Sequence, residues 1–176
     1  CFEYFIEEHL TGVGWDNDNY VNTNDISSIT DFEISPNSFQ YCSCVNDLTG
    51  IEDFTSLTDL TLIGVGMNDI TFSSNNLTSL ELEDLNLLSI DGSQLLNLSD
   101  LSLKNVSINN ITFSSNTLTS LELEDVDLSY IDFSQLLNLL DLSLTNLMNL
   151  SQIYLSNNSS LSSLNINNIP LNFIYL

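Results

Sequence analysis

The residues in this chain that can do chemistry are carboxylates. Glu81 and Glu83, and again Glu122 and Glu124, stand two apart, with Asp59, Asp100 and Asp141 at related places in the pattern. On a strand a spacing of two puts both side chains on one face. There they can hold a divalent cation, attract a basic partner, or work as an acid and base pair. Against 24 acidic residues the 176-residue chain carries one Lys, Lys104, no Arg and one His, His9, for a formal net charge of −23. Such a chain repels nucleic acid and anionic lipid and attracts cations and basic proteins. Its low Lys content also gives trypsin-like proteases few sites, which suits an extracellular or cell-surface setting. The parts of an enzyme are missing: no Gly-rich phosphate loop, no Arg to clamp an anion, no His beside a nucleophile. On an open sheet nothing desolvates a carboxylate to raise its pKa, so a non-enzyme without a resident cofactor is expected. Calcium is the one ion considered, at Glu81, Glu83, Glu122 and Glu124 or at Asp16 and Asp18. The run DNDNYVNTND that holds those two aspartates fails the EF-hand template, because Tyr20 and Val21 stand where an oxygen ligand and a Gly are needed.

The carboxylates lie inside a duplication. Residues 57–97 and 98–138 form two 41-residue blocks with 28 identical positions, and within each block the phrase L-x-x-L-x-L returns after 20 or 21 residues. Phrases begin at Leu57, Leu77, Leu98, Leu118, Leu139 and Leu161. Apolar residues recur at the first, fourth, sixth, ninth, eleventh and fourteenth places, as in Leu77, Leu80, Leu82, Leu85, Leu87 and Ile90. The step of two predicts a short strand with both leucines inward, and the steps of three predict an arc that turns back. One such coil cannot bury its leucines, but stacked coils merge them into a single core beneath a parallel sheet. The third, fifth and seventh places then face outward, and strongly acidic coils alternate with milder ones. The alternation spaces the carboxylates about 9 to 10 Å apart, two ladder steps. Lys104, at the seventh place between Glu83 and Glu124, is expected to neutralise both.

LTDLTL, LTSLEL, LSDLSL, LTSLEL, LLDLSL and LSSLNI together resemble the leucine-rich repeat family, and IDFSQLLNL is similar to the returning arc of internalin-type bacterial repeats. The resemblance implies a repeat solenoid with a parallel β-sheet on one face, short irregular convex arcs and an N-terminal cap. One departure concerns the ninth place, where the family has Asn or Cys in a buried ladder. Here it holds Val65, Leu85, Val106, Val126, Leu147 and Ile169, so Ser, Thr and Asn side chains or water must satisfy the arc's backbone groups. Phe72, Phe113 and Phe133, with Leu155 and Leu176 in the same column, are expected to form a convex spine.

Three regions follow. Residues 1–28 read as a capping segment: Phe2, Phe5, Ile6, His9 and Leu10 have the spacing of an amphipathic helix, and a polar loop follows. Residues 29–56 read as a degenerate first repeat, with Ile29, Phe32 and Ile34 in ITDFEI and an insertion carrying Cys42 and Cys44. Residues 57–176 are the solenoid. In an extracellular protein Cys1 bonded to Cys42 or Cys44 staples the amino-terminal segment to the first coils. N-x-S/T sequons occur at Asn76, Asn97, Asn105, Asn110, Asn149, Asn157 and Asn158, a number that a chain so rich in these residues produces by chance. No apolar run approaches a membrane span. The carboxyl end, LSSLNINNIPLNFIYL, is as apolar as an internal coil. Phe2, Phe5 and Ile6 at one end, with Ile169, Leu171, Phe173, Ile174 and Leu176 at the other, are therefore expected to join copies head to tail into a filament or surface layer. The alternative is an adhesin-type module whose acidic concave sheet, Asp59, Glu81, Glu83, Asp100, Lys104, Glu122, Glu124 and Asp141, takes a basic protein or divalent cations.

Overall fold

Each L-x-x-L-x-L phrase alternates apolar and polar residues, and in the computed structural model each becomes a strand. The structure describes residues 6, 23–37, 42–70, 76–92, 95–113 and 117–176. The strands are β1 (Asp31–Ile34), β2 (Asp59–Ile63), β3 (Ser79–Asp91), β4 (Asp100–Thr112), β5 (Ser120–Glu124), β6 (Asp141–Thr145), β7 (Gln152–Tyr154), β8 (Ser163–Asn167) and β9 (Phe173–Tyr175). Seven of them form one parallel sheet in the order β1-β2-β3-β4-β5-β6-β8, and β7 pairs with β9 in a second. The register follows the repeat without a slip: Leu60, Leu80, Leu101, Leu121, Leu142 and Leu164 align in one row, and Leu62, Leu82, Leu103, Leu123, Leu144 and Ile166 in another. A slip of one residue would turn every leucine outward, so burial of one face holds the register.

β1 shows that the degenerate phrase is a full member of the stack, with Phe32 opposite Leu60 and Ile34 opposite Leu62. Phe32 and Phe54 are both buried, their rings 5.0 Å apart. Ile6 is helical and buried in the core, so it does not serve as an exposed assembly end; Phe2, Phe5, His9, Cys1, Asp16 and Asp18 lie outside the described residues. Part of the run expected to lack regular structure forms a one-turn helix, Thr23–Ile26, because Ile26 is buried in the same core.

The arcs differ from expectation in the middle of the stack. β3 and β4 run 13 residues each and stay paired past the turn, Leu85 with Val106, Leu87 with Ile108 and Ile90 with Ile111. The two arcs run side by side in register past the turn, so their backbones stay close enough to bond. The phenylalanine spine is partial: Phe133 is buried and Phe113 half-buried, while Phe72 lies outside the described residues. Leu155 continues that column in the core, but Leu176 is 89% exposed. The aromatic column is formed by tyrosines instead, with Tyr154 stacked on Tyr175 at 4.6 Å and tilted against Tyr130 at 5.9 Å.

The insertion packs against the first regular coil. A Cβ on Gly66 would sit 2.1 Å from the Ser43 carbonyl oxygen, so only glycine permits the approach. The matching place in the second block is the exposed Ser107, where no insertion leans on the coil.

Candidate interaction surface

The outward places of the sheet bring the sequence-selected carboxylates together. Asp59, Asp100 and Asp141 are exposed, and Glu81, Glu83, Glu122 and Glu124 are partly covered by their neighbours. In register Lys104 stands between Glu83 and Glu124, as the repeat dictates. Its ammonium goes elsewhere: it donates to Glu81 Oε1 at 2.8 Å and lies 3.7 Å from Glu122 Oε2. A long side chain reaches diagonal positions on a sheet, and here the lysine leans toward the fifth column. The Glu81 hydrogen bond, together with the charges of Glu81, Glu122 and Glu83, raises the Lys104 pKa above its ordinary value against the opposing cost of burial. The Ser102 hydroxyl donates to Glu122 at 3.0 Å and helps hold that carboxylate in place.

One 41-residue period after Lys104 comes Thr145, opposite Glu124 in the ladder. Below it the sheet face carries a hollow of about 230 Å³ bordered by Glu122, Asp141, Ser143, Ser163 and Asn165. Among the described residues no three His, Cys, Asp or Glu side chains converge as a metal would require. Glu81, Glu83, Glu122 and Glu124 lie spread along the open sheet face.

Two ladders keep this face in shape, and the sequence reading missed both. At the eighth place stand Gly64, Asp84, Asn105, Asp125, Asn146 and Asn168, all at positive φ from 50° to 64°. Gly, Asn and Asp are the residues that tolerate this left-handed conformation, so the column turns every coil from strand into arc. Its side chains also bond along the stack: Asn105 donates to Asp84 at 2.6 Å, Asn146 to Asp125 at 3.3 Å and Asn168 to Asn146 at 2.8 Å. Backbone amides of Gly64, Asp125 and Asn146 donate to Glu83, Thr145 and Asn167 in the next coil. This exposed column does part of the work of the missing buried Asn ladder. The second ladder is hydroxylic. Thr58, Thr78, Ser99, Thr119 and Ser162, at the second place, donate to the carbonyl of the equivalent residue one coil back at 3.0 to 3.2 Å. The signal for both was present in residue type at the second and eighth places, outside the apolar columns and the outward third, fifth and seventh places.

Of the sequons, Asn158 is not an acceptor. It is 6% exposed and its amide donates to the carbonyls of Phe133 and Leu136. Asn76, Asn97, Asn105, Asn110, Asn149 and Asn157 are exposed. At the carboxyl end Ile169 and Leu171 are half-buried against the core, whereas Phe173, Ile174 and Leu176 are exposed together with Leu164 and Tyr175.

No family model matches the sequence and no curated protein does. Among solved structures, an internalin from Listeria monocytogenes superposes with a TM-score of 0.58 over 98% of this chain at 20% identity. The fold is a leucine-rich repeat solenoid. This chain spans about half the length of that internalin, 54% of it. At this identity the likeness concerns the leucine-rich repeat architecture alone. No helix among the described residues is long and apolar enough to cross a membrane.

Proposed function

We propose that the chain is a non-enzymatic, extracellular or cell-surface interaction module whose acidic sheet face captures a basic protein segment. The observation that carries this reading is Lys104. Its ammonium, held between Glu81 and Glu122, shows how a cation lies on this face. One period on, Thr145 supplies no charge beside Glu124, and a Lys or Arg from a partner fits, by charge and by size, the hollow bordered by Glu122 and Asp141. An extracellular setting is supported by Cys44, which is disulfide-bonded, because disulfides persist in oxidising compartments.

The test is capture of a lysine-rich peptide. Binding should weaken steeply with salt and be lost when Glu81, Glu83, Glu122 and Glu124 are changed together to Gln. Equal binding by that variant would defeat the reading, and calcium competing with the peptide would point to a divalent ion on the same carboxylates.

A second reading is self-assembly into a filament or layer: Leu164, Phe173, Ile174 and Leu176 lie exposed along the outer strands, an apolar surface that a second copy or a further coil of the same stack would cover.

A further inference from the structure

The fifth outward column has a regular composition that no single coil reveals. In ladder register it runs Glu33, Thr61, Glu81, Ser102, Glu122, Ser143 and Asn165, so carboxylate and hydroxyl alternate from β1 to β6. The chain itself shows what such an arrangement holds. Between the carboxylates that flank Ser102, the Lys104 ammonium lies 2.8 Å from Glu81 Oε1 and 3.7 Å from Glu122 Oε2. The matching seventh places two strands to either side, Ile63 on β2 and Thr145 on β6, carry no charge. The strand of Ile63 holds Asp59 and Thr61, and Thr61 is flanked by Glu33 and Glu81 just as Ser102 is flanked by Glu81 and Glu122. Glu33 is exposed and has no ion pair among the described residues. The strand of Thr145 holds Asp141 and Ser143, which with Glu122 border the hollow on the sheet face.

We propose that the acidic face has two seats for a partner's cations, one at Glu33, Thr61 and Glu81 and one at Glu122, Asp141 and Ser143, and that together they select an extended segment with Lys or Arg about six residues apart. The proposal rests on the capture reading above and names the pattern of the partner. The seats lie on β2 and β6, four ladder steps apart, which is about 19 Å. An extended chain laid along the stack rises about 3.3 Å per residue, so residues i and i+6 span that distance. The even separation turns both side chains to the sheet. Glu81 can serve two cations because a carboxylate has two oxygens: Oε1 takes Lys104, and Oε2 remains for the partner. The half-buried Ile63 offers apolar surface to the stem of a long basic side chain. Lys104, on β4 midway between the seats, supplies the repulsive half of the specificity. A Lys or Arg at i+2 or i+4 falls within about 3 to 4 Å of Lys104 along the stack and is repelled, so an unbroken basic run fits less well than a spaced pair. A second copy of this chain, with one Lys and no Arg, cannot supply the pair.

Fluorescence anisotropy at low ionic strength should rank labelled two-lysine peptides of equal length in a Thr and Gln background. Lysines six apart should bind up to about fivefold more tightly than lysines two or four apart, the worth of one further exposed ion pair. Glu33→Gln should remove that advantage and, because Glu33 is exposed, should keep the melting temperature of the parent. Lys104→Thr should raise the affinity of the closer-spaced peptides more than that of the six-apart peptide. Affinities independent of spacing, or a six-apart advantage that survives Glu33→Gln, would overturn the two-seat pattern and leave capture by the acidic sheet standing. No binding by any of the peptides, or equal binding when Glu81, Glu83, Glu122 and Glu124 are all changed to Gln, would overturn both.

Discussion

The coil that begins at Leu98 and the coil that begins at Leu161 share one phrase and differ in surroundings. In the first, β4 has β3 and β5 on either side, and Leu101 and Leu103 are buried. In the second, β8 has only β6 beside it; Leu164 is 42% exposed where Leu101 is 3%. The inward residues are alike, Leu101 and Leu103 against Leu164 and Ile166, while the neighbours differ. Burial in a solenoid is therefore a property of the stack, supplied half by the coil before and half by the coil after. The same comparison holds for charge. The coil at Leu98 carries Asp100 and Lys104 and lies between coils rich in Glu, whereas the coil at Leu161 carries no charged residue.

Substitutions in matched pairs separate the two coils. The largest contrast should come from truncating the inward leucines: Leu103→Ala is expected to cost about 2 to 5 kcal/mol in denaturant unfolding, and Leu164→Ala less than half of that. If the two costs were equal in dilute solution, the terminal coil would be covered there too. Should the Leu164→Ala cost grow with protein concentration, a second copy is providing the cover. A smaller effect is expected at the turn column. Asn105→Val forces a β-branched residue into the left-handed region and should destabilise by about 1 to 3 kcal/mol, while Asn105→Gly should be tolerated apart from the lost bond to Asp84. Asn168→Val, in the terminal coil, should change the melting temperature less than Asn105→Val does.

The smallest effect belongs to Lys104. Its side chain and those of its partners are about a third or more exposed, so Lys104→Met should cost only about 0.2 to 1 kcal/mol at neutral pH. The pH dependence has a definite sign. Because the folded-state pKa is raised, the pairing is fully present below the ordinary lysine value and lost as pH rises through the raised one. The parent protein should lose that increment in alkaline unfolding titrations, and the Met variant should not.

Much of this was readable from the chain. The inward columns, the parallel register and the outward carboxylates follow from a period that repeats within one sequence, and β1 was visible in ITDFEI. Several features were not. The long pairing of β3 with β4 depends on how two arcs run beside each other, and the burial of Asn158 on its amide reaching two carbonyls of the coil before. Neither is written in a single coil. The Gly, Asp and Asn column was in plain view at the eighth place, but it repeats as a backbone conformation and not as a residue, so identity matching passed over it.

The sequence by itself determined which residues share a column, because a period of 20 to 22 residues per coil leaves the stack no other way to bury its leucines. The tertiary structure alone decided which acids Lys104 takes and which leucines stay exposed. The first depends on the diagonal reach of a flexible side chain across a sheet, the second on whether a neighbouring coil is present. A column is a local rule repeated, but a partner is a fact about position in space.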